Sequence, residues 1–499
     1  MSQIVENFRA LDLFCFRSEI ASVLFVPETL QLFQVSSLAA TIIIECRRGV
    51  SLQELSTTYG INGEIIESFL TKIISAVSSA QPAACNNSAI DTNHPFGLTL
   101  PKLVLMVNNY CNLKCIYCYE HEAVFKKKPI DMSQLIAKTA LDKCYSTFDT
   151  IRELMFIGGE PSLSEEVIDF ACNYTVELAS ISDRVPPMVS MITNGVKMSD
   201  RLFDLIEKYN IQVTFSIDGP KVIQNLVRIR HDNSGSYNEV KENIIRYAKR
   251  FQDKLGIECT VTRAHKDAGI TVSDLVNFFS TEFGVRDPHI APAGLTIDNP
   301  LNPLVDLDPY LKREFEAAAA KGVENIFDKL CQTERQTSAS RGAPDLVFSM
   351  LRKLIRQKSS LDMCPAGTAQ LVVDAFGDLY PCWMFSGMEQ FKMGNILWDD
   401  IFNQQSKSVL ERINKNTKRT NSQCSTCYAR YLCNACIGNN QNVTGAIESI
   451  DERFCNSVRS TVKTVLLKLG EAKQDKQKWA KVREEALCKE TISEERVRL

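Results

Sequence analysis

Apolar and polar positions follow two different rhythms along this 499-residue chain. From Lys102 to Asn109 an apolar run indicates a buried strand, and five similar runs follow it, separated by stretches with helical spacing such as Ser133–Phe148 and Tyr237–Phe251. The five later strands are predicted at residues 153–157, 189–193, 211–217, 256–262 and 285–290. Six strand–helix units in succession predict an α/β fold in which a parallel sheet curls into a partial (β/α)6 TIM-type barrel.

The N-terminal part of the chain has a different order of elements. Three short apolar runs predict a three-stranded meander, and three stretches with helical spacing follow, with Ser51 and Asn62 placed as N-caps. The strands are predicted at residues 11–17, 22–26 and 31–35, and the helices at 37–46, 52–59 and 63–77. This order predicts a small winged-helix domain. Winged helices often read DNA, but the last helix carries Glu64, Glu67 and a single lysine, which is poor chemistry for phosphates.

Composition narrows the class of protein. The formal net charge of -3 gives no basic excess, so we expect no nucleic-acid partner. No apolar run reaches the ~18 residues that a membrane-spanning helix needs, and the N-terminus lacks a signal-peptide pattern. We therefore expect a cytoplasmic protein without a membrane partner. Eighteen cysteines in such a chain indicate metal ligands and buried apolar side chains better than disulfides.

Three cysteines follow the first barrel strand at close spacing: Cys111, Cys115 and Cys118. Thiolates are soft ligands that suit iron–sulfur clusters, and a four-iron cube held by three of them leaves one iron open to a small molecule. A zinc ion is the alternative to an iron–sulfur cluster. Structural zinc takes four protein ligands, however, and the nearest histidine, His121, lies outside the usual finger spacing.

A second field of cysteines lies near the C-terminus. It contains Cys364, Cys382, Cys424, Cys427, Cys433, Cys436 and Cys455. Seven thiolates exceed the needs of one four-iron cluster, so two clusters are predicted. Two zinc ribbons are the alternative for this field, although they leave the upstream trio unexplained.

The Cys-x3-Cys-x2-Cys motif, with Tyr117 before its last cysteine, resembles the radical S-adenosylmethionine enzymes from about Pro101 to Cys455. The resemblance implies that S-adenosylmethionine binds the open iron and yields a 5'-deoxyadenosyl radical that removes a hydrogen atom from the substrate. Three motifs at predicted strand ends agree with it: Gly158-Gly159-Glu160-Pro161, Thr193-Asn194-Gly195 and Ser216-Ile217-Asp218-Gly219.

Residue roles follow from the same resemblance. It implies that Gly158, Gly159 and Glu160 hold the amino end of the cofactor, that Asn194, Ser216 and Arg230 are further cofactor contacts, and that Asp218 is a catalytic proton acceptor. Each role has a plainer alternative. The glycines can form an ordinary turn, Asp218 can be a turn or N-cap carboxylate, and Arg230 can be a solvated surface side chain.

The second cysteine field resembles the SPASM extension, which carries two auxiliary 4Fe-4S clusters. The resemblance implies two ligand sets: Cys364, Cys382 and Cys436 for the first cluster, and Cys424, Cys427, Cys433 and Cys455 for the second. Cys436 stands one residue early relative to the usual spacing, and no cysteine lies between Cys364 and Cys382. We therefore expect one iron of the first auxiliary cluster to lack a protein thiolate, and that iron could bind a substrate group.

The N-terminal unit resembles the PqqD-like recognition domain of ribosomal-peptide (RiPP) maturases, in which a strand edge accepts a leader peptide. The resemblance implies an enzyme that modifies a precursor peptide, most often by a C-S or C-C side-chain cross-link. Backbone excision, epimerisation, decarboxylation, a sulfatase-type protein maturase and an iron–sulfur DNA-binding regulator are the alternatives. The expected partners are the precursor peptide, an electron donor such as flavodoxin or ferredoxin, and an accessory protein.

The predicted domain boundaries follow the order of these features. They are residues 1–78 for the winged-helix domain, 79–100 for a linker, 101–300 for the barrel, 301–362 for a helical bridge, 363–456 for the SPASM domain and 457–499 for a helical tail.

Overall fold

The computed structural model describes residues 3–85, 97–118, 128–251, 254–285, 288–294, 313–314, 317, 345–359, 361–477 and 479–480. Most of the bridge predicted at 301–362 lies outside the described residues, as do His121, residues 86–96 of the predicted linker and residues 481–499 of the predicted tail. None of the helices in the described part combines the length and apolar character that crossing a membrane requires.

The N-terminal unit contains three strands and four helices. They are α1 (Gln3–Ala10), β1 (Phe14–Arg17), β2 (Ser22–Val26), β3 (Gln31–Gln34), α2 (Ser37–Arg48), α3 (Leu52–Tyr59) and α4 (Gly63–Ser78). The strands pair antiparallel in the order β1-β2-β3, which confirms the predicted meander. Ser51 and Asn62 cap α3 and α4 as predicted. Helix α1 was missed, although Val5 and Phe8, which it buries, have helical spacing.

Six parallel strands form the centre of the molecule. They are β6 (Leu103–Met106), β8 (Glu153–Ile157), β9 (Met188–Thr193), β10 (Gln212–Ser216), β11 (Leu255–Val261) and β12 (His289–Pro292). Their helices are α5 (Gln134–Thr147), α6 (Glu165–Ile181), α7 (Asp200–Lys208), α8 (Lys221–Val227), α9 (Tyr237–Phe251), α10 (Arg263–Asp267) and α11 (Val272–Phe283). The α/β fold with a partial parallel sheet is confirmed.

The last strand of this sheet begins four residues later than predicted. The prediction placed it from Val285, but Val285 closes helix α11 by donating its backbone N–H to the carbonyl of Phe279. Gly284 takes the left-handed conformation that ends the helix. Val285 is therefore part of the buried C-terminal end of α11, and β12 starts at His289.

Residues after the barrel extend the same sheet. Strand β14 (Leu371–Val373) pairs parallel with β6, and β15 (Leu379–Tyr380) pairs antiparallel with β14, so the sheet has eight strands in the order β12-β11-β10-β9-β8-β6-β14-β15. Sequence reasoning treated this region as a separate domain, because three-residue and two-residue strands are too short to be recognised from periodicity.

Short strands also lie in the residues predicted as a linker. Strand β4 (Ala84–Cys85) pairs with β13 (Lys358–Ser359), and β5 (Thr99–Leu100) pairs with β7 (Thr150–Ile151). The remaining described helices are α12 (Asp345–Arg356), α13 (Gln404–Lys415), α14 (Ser422–Ser425), α15 (Ile437–Thr444) and α16 (Glu452–Ala472).

The N-terminal sheet packs against the C-terminal helix α16. Val23 and Phe25 of β2 share a buried cluster with Val462 and Leu466. Gly470 makes this approach possible, because a Cβ atom there would lie 2.3 Å from the Cγ1 atom of Val23. The face of the sheet that does not contact α2 is therefore covered by the C-terminal part of the chain.

The same sheet contacts the loop between Cys427 and Cys433. The rings of Phe14 and Phe16 lie 5.5 and 5.0 Å from the ring of Tyr428. Asp12 forms an ion pair with Arg430, which also donates to the carbonyl of Cys427. The N-terminal unit is thus attached directly to a loop that carries two of the predicted cluster ligands.

Candidate metal centres

The loop with Cys111, Cys115 and Cys118 follows β6 and is held by the segment after α8. Leu113 forms an antiparallel bridge with Arg230. The backbone N–H groups of Lys114 and Ile116 donate to the carbonyls of Ile229 and Val227 at 2.8 and 2.9 Å. A ring nitrogen of His231 lies 3.0 Å from the carbonyl oxygen of Cys111. The position of the three thiols is therefore fixed by residues more than a hundred positions away in the chain.

The three thiols share one space. Burial raises the pKa of Cys111, and the nearby charges of Glu160, Cys115 and Cys118 raise it further. Burial also raises the pKa of Cys115, whereas the guanidinium of Arg228 lowers it. Three soft donors in mutual electrostatic contact fit a 4Fe-4S cluster with one open iron.

Two N–H donors face the Cys111 thiol. The backbone N–H of Leu113 lies 3.3 Å from its sulfur, and the side-chain amide of Asn194 lies 3.5 Å from it. The same amide donates to the side chain of Asn112 at 2.7 Å. Because hydrogen bonds to a ligating sulfur favour its thiolate form, Asn194 lies where it can support the predicted cluster.

The glycine pair at the end of β8 allows a close approach to the chain before the cysteine loop. A Cβ atom at Gly159 would lie 2.2 Å from the carbonyl oxygen of Tyr110, and one at Gly158 would lie 2.6 Å from that of Asn108. Both clashes involve backbone atoms that cannot move independently. These glycines are therefore required by the protein's own packing, while their predicted contact with S-adenosylmethionine remains a prediction.

Glu160 joins the ends of two neighbouring strands. Its buried carboxylate accepts hydrogen bonds from the backbone N–H of Ser162 at 2.9 Å, the hydroxyl of Thr193 at 2.5 Å and the backbone N–H of Asn194 at 2.7 Å. Burial raises its pKa, and these hydrogen bonds lower it. Three of the roughly four acceptor positions of the carboxylate are thus used by the protein, and its contact with the cofactor's ammonium group remains a prediction.

Asp218 lies at the centre of a buried network behind the cysteine loop. One carboxylate oxygen accepts from the hydroxyl of Tyr117 at 2.5 Å and from Nε of Arg228 at 2.9 Å, and the other accepts from the backbone N–H of Thr260 at 2.9 Å. The guanidinium carbon of Arg228 lies 5.4 Å from the centre of the Tyr117 ring. The network ties the cysteine loop to the ends of β10 and β11, and catalysis by Asp218 remains a prediction.

Ser216 and Arg230 stay predicted cofactor contacts. Ser216 is the last residue of β10 and pairs with Glu258 of β11. The guanidinium of Arg230 pairs with the carboxylate of Glu239 at 3.0 Å and donates to the carbonyl of Gly235 at 3.3 Å. The guanidinium of Arg230 is therefore bound to protein groups and is not simply solvated.

Cys364, Cys382 and Cys436 come together beside the end of the extended sheet. Burial raises the pKa of Cys364 to about 11, with a further contribution from the nearby charge of Cys436. Burial and the charges of Cys364 and Cys436 raise the pKa of Cys382. Cys436 is the N-cap of α15 and accepts from the backbone N–H of Asn439 at 3.4 Å. The early position of Cys436 in the sequence does not separate it from the other two thiols.

Cys424, Cys427, Cys433 and Cys455 line a single cavity together with Lys418 and Arg459. Burial raises the pKa of Cys424 to about 11, and the charges of Cys433 and Cys427 raise it further. Within the described ranges, no three Asp, Glu, His or Cys side chains converge closely enough to hold one metal ion. The fit to clusters therefore rests on the chemistry and mutual proximity of the thiols, and the ligand sets remain predictions.

Sequence reasoning missed Arg228, His231 and Lys418. Their sequence positions carry no motif, because each acts through a contact that only the fold creates. Tyr117 was noted as the aromatic residue of the cysteine motif, but its bond to Asp218 was not foreseen.

Two family models match the chain. The Radical SAM superfamily model matches residues 105–277, and the iron–sulfur cluster-binding SPASM model matches residues 364–428. The first match covers Cys111, Cys115, Cys118 and the strand-end motifs up to Arg230. The second covers Cys364, Cys382, Cys424 and Cys427.

Similar proteins match about three quarters of the chain at low sequence identity. The cysteine-type anaerobic sulfatase-maturating enzyme of Clostridium novyi is 22% identical over 74% of this chain and 96% of its own length. The radical SAM cyclopropyl synthase TigE of Paramaledivibacter caminithermalis is 20% identical over 74% of this chain and 75% of its own. A solved structure of anSMEcpe with bound AdoMet and the Cp18Cys peptide matches with a TM-score of 0.58 and 19% identity, over 73% of this chain and 95% of that one.

At these identities the structural likeness shows the fold, and the family models show the domains. The radical domain implies a 4Fe-4S cluster and S-adenosylmethionine, and the second domain implies auxiliary iron–sulfur clusters. The chain therefore contains a radical SAM domain followed by a SPASM iron–sulfur domain.

Proposed function

We propose that this chain is a radical SAM maturase that removes a hydrogen atom from a ribosomally made precursor peptide and installs a side-chain cross-link. The observation that carries the proposal is the N-terminal sheet, which is attached to the cluster-bearing loop through Phe14, Phe16 and Asp12 and still has an unpaired strand edge. A peptide bound at that edge would be held by a sheet that directly contacts the loop carrying Cys427 and Cys433.

β1 and β3 are the two edge strands of this sheet, and we assign peptide capture to β3. The backbone N–H of Val35 donates to the carbonyl of Ser22, which makes these two residues a hydrogen-bonded pair. Because such pairs alternate in an antiparallel ladder, the backbone groups of Leu32 and Gln34 point away from β2. The Nζ atom of Lys473 donates to the carbonyl of Leu32 at 2.6 Å, which agrees with that direction. Among the described strands β3 pairs only with β2, so Gln34 offers an outward N–H and C=O to a peptide strand.

The residues of the barrel have separate tasks. Cys111, Cys115 and Cys118 would hold the radical cluster, and Glu160 and Asn194 fix the strand ends beside it. When bound, the cluster and S-adenosylmethionine supply the one-electron chemistry that removes a hydrogen atom from the substrate. The chain's own contribution is to position the target and to keep water and other quenching groups away.

A sulfatase-type protein maturase is the second candidate. The likeness to the sulfatase-maturating enzyme of Clostridium novyi favours it, and so does the likeness to the solved structure of anSMEcpe with the Cp18Cys peptide. About a quarter of this chain lies outside these matches. The unpaired edge of β3 has a clear use in peptide capture, which favours the precursor peptide as substrate.

The first test is the mass of a modified peptide. Under reducing, anaerobic conditions, the reconstituted protein is incubated with synthetic peptides translated from the short open reading frames that flank its gene, and with a cysteine peptide taken from a sulfatase. We expect one flanking peptide to lose two hydrogens, as a cross-link requires. An unchanged mass with an altered stereocentre would show that the reaction is epimerisation and not cross-linking. Loss of a larger fragment would show excision or decarboxylation. Conversion of the sulfatase peptide alone would reject the precursor proposal.

The second test concerns peptide capture at β3. Gln34→Pro removes the outward N–H without removing a bond to β2, whereas Gln34→Ala keeps that N–H and removes the side chain. We expect Gln34→Pro to weaken binding of the flanking peptide roughly 2- to 12-fold, as loss of one net hydrogen bond predicts, and Gln34→Ala to bind almost normally. Equal affinities of both variants, measured by fluorescence anisotropy, would show that β3 is not the capture edge.

The third test separates two roles of Asp218. If Asp218 holds the cysteine loop, Asp218→Asn leaves Arg228 buried without its anion, at a cost of about 3–5 kcal/mol, and iron per chain falls by about four. Tyr117→Phe removes only one hydrogen bond and keeps the iron. If instead Asp218→Asn retains all iron and still cleaves S-adenosylmethionine but yields no peptide product, Asp218 is the proton acceptor and its positioning role is rejected.

A further inference from the structure

Lys418 is a buried lysine that lies against the four-thiol set, which consists of Cys424, Cys427, Cys433 and Cys455. Its side chain is almost fully enclosed, with 3% of the residue exposed, and its Nζ atom donates to the carbonyl of Cys433 at 2.8 Å. It lines the cavity that contains Cys424, Cys433 and the other two thiols of this set. Burying an ammonium group costs several kcal/mol unless negative charge lies nearby, so its position calls for an explanation.

The same lysine also lies beside the three-thiol set, which consists of Cys364, Cys382 and Cys436. Its backbone N–H donates to the carbonyl of Leu361 at 2.8 Å, and the preceding residue, Thr417, forms a bridge with Asp362. This pairing places Lys418 next to the segment that leads into Cys364, and the charges of Lys418 and Cys364 interact. Lys418 is thus positioned between the two predicted auxiliary sites, with Asp362 also within electrostatic range.

The four-thiol set has two further cations near it. Lys353 donates to the carbonyl of Leu432 at 3.3 Å and to the side chain of Asn434 at 2.5 Å, and its charge interacts with that of Cys433. Arg459 lines the same cavity and pairs with Glu452 at 2.8 Å.

For the three-thiol set, Lys418 is a cation that interacts with Cys364. The four-thiol set has Lys418 and Arg459 on its cavity wall, and Lys353 donates to the carbonyl next to Cys433. These contacts place three cations at the four-thiol set.

A buried cation acts on an iron–sulfur cluster through its charge. The reduced cluster carries one more negative charge than the oxidised one, and a nearby ammonium group stabilises the reduced form more. The effect is strong where water is excluded, as it is at Lys418. Removing the charge should therefore lower the reduction potential of each cluster that the lysine faces.

We propose that Lys418 is a cation shared by the two auxiliary clusters and that its charge raises the reduction potential of both. The cluster of Cys424, Cys427, Cys433 and Cys455 has the higher potential of the two. The inference rests on the proposed function and on the predicted ligand sets of the two auxiliary clusters. It makes the four-thiol cluster the preferred resting place for an electron that leaves the substrate or enters from a donor protein.

The test measures reduction potentials and needs no peptide. In a Cys111/Cys115/Cys118→Ala background only the auxiliary clusters remain, and electron paramagnetic resonance follows their reduction during a potentiometric titration. We expect Lys418→Met to lower the midpoint potentials of both clusters, Lys418→Arg to restore them, and Lys353→Met to lower mainly that of the four-thiol cluster. Lys415→Met removes an exposed charge near the same chain segment and is the matched control, with unchanged potentials.

Each outcome decides the inference. Midpoint potentials of Lys418→Met equal to those of Lys415→Met, at equal iron content, would overturn it, as would a higher potential at the three-thiol cluster. If Lys418→Met fails to retain iron, the order of the two midpoint potentials in the parent background carries the decision, and a higher potential at the three-thiol cluster contradicts the inference. A parent protein with no iron at either set would reject the auxiliary ligand sets and the inference, whereas the proposed function is decided separately by the peptide tests.

Discussion

Residues 107–118, the described part of the cysteine loop after β6, form no helix or regular strand, so the position of the three thiols depends on what surrounds them. Backbone hydrogen bonds from Lys114 and Ile116 to the segment after α8 fix the loop from one side. The glycines at the end of β8 let the chain approach Asn108 and Tyr110 from another side. A cluster with an open iron needs such a rigid seat, because its fourth position must face the cofactor in a defined direction.

The second constraint on the fold is the negative charge that the cysteine thiolates carry when they act as metal ligands. Ten cysteines in three sets are half-buried, apart from the buried Cys382, and each set has donors or cations nearby. Asn194 and the backbone of Leu113 face Cys111, Arg228 lies near Cys115, and Lys418 lies between the two auxiliary sets. The eight-stranded sheet joins these sites, because β14 pairs with β6, the strand that leads into the cysteine loop. The radical and auxiliary sites are thereby parts of one continuous scaffold.

Much of the site could be predicted from the sequence because parallel strands end at one edge of a sheet. Motifs at the ends of β8, β9 and β10 therefore had to lie close together, and the structure brings Glu160, Thr193 and Asn194 into direct contact. Cysteine spacing was informative for a similar reason, since close thiols on one loop can face one cluster. The partial parallel sheet followed from the repetition of strand and helix signals.

Other features depend on contacts that no local pattern records. Arg228 and Asp218 lie on opposite sides of α8 in the chain and meet only in the folded protein, and Lys418 reaches two cysteine sets through its pairing with the segment near Leu361. The attachment of the N-terminal sheet to α16 relies on Gly470, a glycine inside a helix that carries no turn signal. The extension of the sheet by β14 and β15 escaped prediction because both strands are very short.

The most direct measurement is iron per chain after anaerobic purification, in the native protein and in a Cys111/Cys115/Cys118→Ala variant, together with formation of 5'-deoxyadenosine. One radical cluster and two auxiliary clusters predict about twelve irons in the native protein and about eight in the variant, with loss of 5'-deoxyadenosine. Little iron together with stoichiometric zinc, or an iron content and cofactor cleavage that the triple substitution leaves unchanged, would contradict the assignment of the radical site.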